Sequence, residues 1–370
     1  MRVTLERSAF LKALNHVQSV VERRNTIPIL SNVLVQAGKG AVKLTATDLD
    51  IEIVESIPAE VTRDGALTVP AHMLYDIVRK LPDGAQLEIE QGPDSGRVAI
   101  IAGRSRFALQ ALPPEDFPDL ASGQPTNTFT LPAADLRSLI DKTRFAISTE
   151  ETRYYLNGIY LHEVPADSML RAVATDGHRL ARAQVPAPKG VQGMPGIIVP
   201  RKTVLELMKL VDDGEGDIEV ALSAAKIRFT LAGLVLTSKL IDGTFPDYER
   251  VIPRNNDKTL EVDTRLFASA VDRVSTISFE KGRAVKLNIA QDRLMLTVNN
   301  PDSGSAEEEI AATYNGEPLD VGFNSRYLLD IAQQIKNETA RFMLADAGSP
   351  TIVIDPSDDQ ALYVLMPMRV

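Results

Sequence analysis

The sequence predicts an α+β fold assembled from three copies of one strand-then-helix unit, and three recurrences predict it. The first is FTLPAADLRSLIDKTRFAIS, Phe129 to Ser148, whose opening residues alternate as a strand does before Leu136, Leu139, Ile140 and Thr143 fall on one helical face. Versions of it return as VTLERSAFLKAL (Val3 to Leu14) and LEVDTRLFASAV (Leu260 to Val271), at offsets of roughly 125 to 130 residues. The second is VPAHMLYDI (Val69 to Ile77), matched by VPRKTVLEL (Val199 to Leu207) and FNSRYLLDI (Phe323 to Ile331), each a strand end running into an apolar-periodic helix. The third is a polar turn after a strand, Thr47-Asp48, Thr175-Asp176 and Asn299-Asn300, where short side chains bond nearby backbone. The units are placed at residues 1–126, 127–255 and 256–370.

Size and composition fit that division. The chain has 370 residues, 44% of them hydrophobic, enough for several cores. Cysteine is absent, which excludes disulfides, thiolate nucleophiles and cysteine metal sites. MRVTLERSAF has no apolar signal core, and no run approaches the roughly 18 apolar residues of a membrane span. A cytoplasmic protein with no membrane partner is expected.

In chain order, the first helix carries a buried stripe of Phe10, Leu14, Val17 and Val21, with Lys12, His16, Ser19 and Arg23 on another face. Arg23-Arg24-Asn25 follows in a loop, a place for a phosphate contact or simply for solvent. Arg97, Arg104 and Arg106 cluster around the hairpin-like GRSRF, and LPPEDFPDL then leads out of the unit. In the second unit RYYLNG and ATDGHRL stand out. One of two adjacent tyrosines on a strand belongs to the core, and the other is free to stack on a nucleic acid. FPDYERVIP repeats the earlier FPD and leads to the next linker. The third unit carries an acidic patch, Asp302, Glu307, Glu308 and Glu309, opposite in sign to the Arg104 cluster, so a dimer joining unit one to unit three would pair them. The final strand, ALYVLMPMRV, reads as core or as an adaptable methionine-rich peptide surface.

Net charge is −10, which by bulk electrostatics repels nucleic acid. Its distribution reverses the inference: the expected helices together carry about +9 and the rest of the chain about −19. Repeats closed into a ring with helices inward would gather positive charge in a hole suited to duplex DNA, gripped through phosphates without base reading.

Enzyme readings fit poorly. Asp176-Gly177-His178 holds the commonest acid/base types, but on a turn the two need not face each other. No G-x-S-x-G, H-E-x-x-H, P-loop or dinucleotide glycine motif is present. His16, His72, His162 and His178 lack metal-ligand spacing. No catalytic residue, metal or cofactor is expected. A DNA-processing hydrolase would need acid clusters for magnesium, and a DNA-free scaffold would show no bias of positive charge toward helices.

RYYLNG, TDGHRL, VPRK, FPDY and the terminal MPMR, in order and spanning essentially the whole chain, resemble the bacterial sliding clamps, the beta subunits of DNA polymerase III. The resemblance implies three domains of the DNA-clamp fold, each with two helices and antiparallel sheets, closed as a head-to-tail homodimer ring with helices lining the hole. It implies a non-catalytic processivity factor on double-stranded DNA. Its implied partners are the replicative polymerase catalytic subunit, the clamp loader, and repair and translesion polymerases. They would share a peptide pocket between domains 2 and 3. Carried over by position, the pocket is Leu156, Thr175, Gly177, His178, Arg179, Leu180, Pro246, Arg250, Val251, Asn324, Tyr327, Val364, Leu365, Met366, Pro367, Met368 and Arg369. Apolar residues would supply its subsites, and His178, Arg179 and Arg369 a polar rim.

DNA contacts carried over likewise are Arg24, Tyr154 and Tyr155, with Arg153, Arg201 and Lys202 as nearby charge and His72 and Glu150 at contact positions. Three positions depart from the family pattern: His72 stands where a basic side chain is often found, Glu150 where an amide is, and Gly282 where some members carry an aromatic. The dimer interface is assigned to Arg97, Arg104 and Arg106 on one side and Ile277, Asp302, Glu307 and Glu308 on the other.

Overall fold

The computed structural model describes residues 1–92, 96–120, 123–212, 216–278 and 284–369. Its helices are α1 (Arg7–Gln18), α2 (Ala71–Lys80), α3 (Ala133–Asp141), α4 (Arg201–Asp212), α5 (Thr264–Ser275) and α6 (Ser325–Ala332). The repeat shows at the level of single side chains. In α1 the buried stripe is Phe10, Ala13, Leu14 and Val17, and in α5 it is Phe267, Ala270, Val271 and Val274, the same helical positions. Both helices start the same way, with a carboxylate accepting an otherwise orphaned backbone N–H: Glu6 from Ala9 (2.9 Å) and Asp263 from Leu266 (2.8 Å).

The helical runs stop earlier than periodicity alone suggests. The Ser19 hydroxyl donates to the His16 carbonyl at 2.6 Å where α1 ends, and the Thr143 hydroxyl donates to the Leu139 carbonyl at 2.6 Å just past α3. Such local bonds compete with continuation of the helix. The chain after Thr143 makes a 3-10 turn, Arg144–Ala146, in place of the last helical turn expected there.

The chain forms two compact units, Met1–Arg137 with Pro188–Met194 and Lys202–Leu240, and Ser138–Ala187 with Pro195–Arg201 and Ile241–Val370. Each unit contains one long antiparallel sheet and one short one among the described residues. In the first unit the long sheet runs Asn127–Pro132, Asp217–Leu222, Lys226–Leu231, Leu234–Lys239, Ile51–Pro58, Ala41–Thr47, Asn32–Gly38, Gly65–Pro70. Strands of the first and second repeats meet inside it, with Leu236 opposite Ile53. In the second unit the long sheet runs from Ile197–Pro200 through Gly158–Val164, Met169–Thr175 and Arg179–Pro186, then on to Ala361–Leu365, Thr351–Ile354, Thr339–Leu344, Lys258–Asp263 and Thr313–Tyr314. Here strands of the second and third repeats meet, with Ala181 opposite Tyr363. A sheet that continues through a repeat boundary buries two edges that would otherwise expose unpaired N–H and C=O groups.

The short sheets end differently. In the first unit one outer strand of the short sheet is Ser105–Gln110, and in the second one is Gly304–Ala311, each with one neighbour among the described residues. These are the repeat counterparts of the strands joined at the two seams.

Candidate functional site

The site grows from a turn. Asp176 accepts the backbone N–H groups of His178 (2.9 Å) and Arg179 (3.0 Å), while Thr175 accepts from Gly177 (3.1 Å) and donates to the Arg179 carbonyl (2.7 Å). The counterpart Thr47-Asp48 makes the same bonds, and Asn300 accepts from Asp302 and Ser303, so the expected polar turns form in all three repeats. Glycine relieves strain at position 177, where φ is +88°; the counterpart Leu49 holds φ +78° in the first repeat.

The strand leaving this turn pairs with the C-terminal strand, Leu180 opposite Val364 and Arg179 opposite Leu365. The Met366 N–H then donates to the His178 carbonyl at 2.9 Å, and that of Met368 to Gly322 at 2.8 Å. Leu156, Leu180 and Val364 share one apolar cluster with Phe245 and Tyr248. Val251 and Met366 remain 50% and 40% exposed beside it. Pro246, His178, Arg250 and Arg369 are exposed, and Pro367, Met368, Thr175 and Tyr327 half-buried. Of the expected pocket residues, Leu156, Leu180 and Val364 thus share one buried apolar cluster in the second unit. Gly282 lies outside the described residues.

Two of these residues act differently from the expectation. Arg179 is 8% exposed and is no rim cation. Its guanidinium bonds Asp176 (3.1 Å), Asp330 (2.5 Å) and the Phe145 carbonyl (2.5 Å), and it lies 4.3 Å over the Tyr327 ring. It is a buried clamp that joins the Asp176 turn to α6 and to the Phe145 carbonyl. Asn324 spends its side-chain oxygen on the N–H of Arg326, capping α6. Asp176 has both oxygens engaged by its own turn and by Arg179, which leaves no lone carboxylate to act as a base toward His178.

The expected DNA residues divide between the two units. Arg24 is exposed in its loop, with no ion-pair partner among the described residues. His72 is half-buried with Nε2 2.9 Å from the Val21 carbonyl, and Lys202 is bonded to Asp48 (2.5 Å) and Glu22 (3.0 Å), so both are tied down within the first unit. Tyr154 and Tyr155 lie in a 3-10 turn, Glu151–Leu156, and not on a strand: the Asn157 N–H donates to the Tyr154 carbonyl at 3.0 Å, an i to i+3 bond that curls the chain ahead of the next strand. Tyr155 packs on the apolar cluster while Tyr154 is 53% exposed, the split expected of two neighbours. Arg153 bonds Glu150 (2.8 Å) and the Asp176 carbonyl (2.9 Å), and this holds the Glu150 carboxyl below the usual carboxylate range. Arg201 is exposed at the start of α4.

Of the expected dimer residues, Arg97, Arg104, Arg106, Asp302 and Glu307 are exposed and Ile277 is half-buried. Glu308 already bonds Arg273 of α5 within the chain. Sequence reading missed the group behind the pocket: Tyr160, His162, Arg171, Phe245 and Tyr248 interact through rings and hydrogen bonds. The aromatic residues of FPDYER were its one visible trace.

Three family models match consecutive parts of the chain: DNA polymerase III beta subunit, N-terminal domain, over residues 1–121, central domain over 130–247, and C-terminal domain over 249–369. The chain belongs to the DNA polymerase III beta subunit family. It is 54% identical over 372 residues to the beta sliding clamp of Caulobacter vibrioides and 42% identical over 370 residues to that of Escherichia coli K12, covering all of both chains in each case. A solved clamp from Bartonella birtlesii, bound to griselimycin, superposes with a TM-score of 0.98 at 57% identity, again over the whole of both chains.

Beta subunits of this family are non-catalytic, ring-forming homodimers. The chain's function is that of the family: a processivity clamp that encircles DNA and tethers the polymerase through a peptide pocket, with DNA, polymerase and clamp loader as partners. Among the described residues no helix is long and apolar enough to cross a membrane.

Proposed function

We propose that this beta subunit closes as a head-to-tail dimer through Ser105–Gln110 of one copy and Gly304–Ala311 of the other, and that the seams inside each unit set the register. These two outer strands correspond by repeat to Leu234–Lys239 and Ile51–Pro58, which pair with Val235 opposite Val54. Hairpin and turn positions transfer that register. Leu231 opposite Leu234 corresponds to Ala102 opposite Ser105, and the Thr47–Glu52 pair to Asn299–Ser305. The bond from His16 of α1 to Glu55 has its counterpart in that from Arg273 of α5 to Glu308, which fixes the same offset independently. The transferred register sets Arg106 opposite Glu307 and Ala108 opposite Ser305. Opposite charges directly across a strand pair are favourable, and this one observation carries the proposal.

The dimer register has a clean test because the chain has no cysteine of its own. A protein carrying Ala108→Cys and Ser305→Cys is expected to oxidise to a covalent dimer, since directly opposed strand residues lie about 4.5 to 5.5 Å apart, within disulfide reach. Moving the second cysteine to Ala306 turns it to the other face and should abolish the cross-link. Equal cross-linking of both variants would contradict the register.

The remaining roles follow the same reading. The domains run 1–126, 127–255 and 256–370. Exposed Arg24 and Tyr154 contact duplex DNA without sequence preference, and Arg153, Arg201, Lys202, His72, Glu150 and Tyr155 shape that surface. The pocket takes a short peptide with apolar side chains, anchored on Leu156, Leu180, Val251, Val364 and Met366 and rimmed by His178, Arg250 and Arg369. Thr175, Gly177, Pro246, Asn324, Tyr327, Leu365, Pro367 and Met368 complete its walls, and Arg179 supports them from below. Repair and translesion polymerases use the same pocket, and the protein works in the cytoplasm.

A further inference from the structure

The segment that presents Pro246, Arg250 and Val251 is short and exposed on its pocket side, so something behind it must hold it. Two of its side chains point the other way: Phe245 and Tyr248 are 8% and 6% exposed. The Phe245 ring stacks on Tyr160 at 4.8 Å with the planes 4° apart. The Tyr248 hydroxyl lies 2.9 Å from Nε2 of His162 and 3.1 Å from Nη1 of Arg171.

Arg171 is only 5% exposed, and all its bonds converge on this place. It reaches Glu249 (2.5 Å), Asp167 (3.2 Å) and the Gln184 side-chain oxygen (2.9 and 3.1 Å) as well as Tyr248. The proton positions are then determined. Nδ1 of His162 lies 2.9 Å from the Glu163 carbonyl, so it carries the proton, and Nε2 accepts from the Tyr248 hydroxyl. The phenol oxygen in turn accepts from Arg171. Burial pushes the His162 imidazole below its ordinary pKa and so keeps Nε2 an acceptor at neutral pH.

We propose that His162, Arg171 and Tyr248 form a positioning site that fixes the Phe245–Val251 wall of the peptide pocket without touching the peptide. The inference rests on the pocket reading above and adds residues outside the pocket set. Its physical content is pre-organisation: a wall held in place by a satisfied, half-buried network loses little freedom when peptide arrives. A wall held only by Phe245 would have to be ordered by the peptide, at the expense of affinity.

The test uses the full-length dimer and a fluorescent peptide copied from the C-terminal tail of the replicative polymerase catalytic subunit. Arg171→Met is expected to weaken peptide binding about tenfold and Tyr248→Phe about threefold, the scale of one or two hydrogen bonds. His162→Gln, whose amide oxygen still accepts from Tyr248, should weaken it less than His162→Phe. Amide hydrogen exchange at residues 245–252 should quicken in the weakened variants, a change that loss of a peptide contact alone would not produce. A chain lacking Met366 to Val370 serves as the pocket control. If that truncation binds peptide normally, the pocket reading falls. If it loses binding while Tyr248→Phe and His162→Phe match the wild-type protein in affinity and exchange, the positioning site alone is overturned. Should Arg171→Met fail to fold, those two variants decide.

Discussion

A chain ending at Leu365 is expected to bind the polymerase tail peptide at least about a hundredfold more weakly than the full-length protein, while still forming a dimer. The deletion removes Met366, 40% exposed above the Leu180 and Val364 floor, and with it Pro367, Met368 and Arg369. Loss of two central apolar anchors at about 2 kcal/mol each exceeds a hundredfold. The fold loses little: two backbone bonds, Met366 to His178 and Met368 to Gly322, each contribute about 1 kcal/mol. The strand Ala361–Leu365 keeps its pairing with Arg179–Pro186. Sizing by light scattering and a peptide titration check the two halves of this expectation. Unchanged peptide affinity would refute the pocket assignment.

Arg179→Gln is expected to act in the opposite sense, lowering stability first and peptide affinity as a consequence. Removing the guanidinium takes the ion-pair partner from Asp176, which keeps its turn bonds, and leaves Asp330 with Arg326 at 4.0 Å; these side chains are 17% and 25% exposed, and the Phe145 carbonyl loses its donor. Breaking a fully buried ion pair from one side costs about 3 to 5 kcal/mol, and partial exposure of both acids reduces that to about 2 to 4. The same change withdraws the cation from the face of the Tyr327 ring. Urea unfolding should show the loss as a lower midpoint with an unchanged slope. An Arg179→Gln protein as stable as wild type but unable to bind peptide would mean that Arg179 is a contact residue after all.

The two variants separate what the sequence makes legible from what it hides. The repeat was legible because it rests on local signals: the apolar stripe of α1 recurs position by position in α5, and the Thr-Asp turns are closed by side-chain bonds to backbone two to four residues on. The opposite charges of Arg106 and Glu307 were legible as composition, and the register proposed for them needs the sheet order, in which their strands are outer ones. The place of Arg179 was not legible. Its partner Asp330 is 151 residues away in sequence, and an arginine next to a glycine turn reads as surface until the fold closes over it. Arg171 was hidden for the same reason, with Tyr248 and Glu249 more than 70 residues further on. The tyrosines of RYYLNG show a milder version: their inside-outside split held, although the backbone carrying them is a 3-10 turn.

The helical bias of charge has also acquired structure. Lys202 and Arg7 are tied to acids within the first unit, to Asp48 and Glu22 and to Asp83, whereas Arg24 stands exposed in its loop. Positive charge on a helix therefore does not translate one for one into grip on phosphate.

The central claim is that the protein holds DNA by encircling it. The most direct measurement loads the wild-type dimer onto nicked circular DNA with a clamp loader and ATP, washes in high salt, and then cuts the circle once. Retention on the intact circle in salt that screens phosphate contacts, followed by release on cutting, is the predicted result. Loss from circular and linear DNA alike as salt rises would show a bond made by charge alone and would contradict the account.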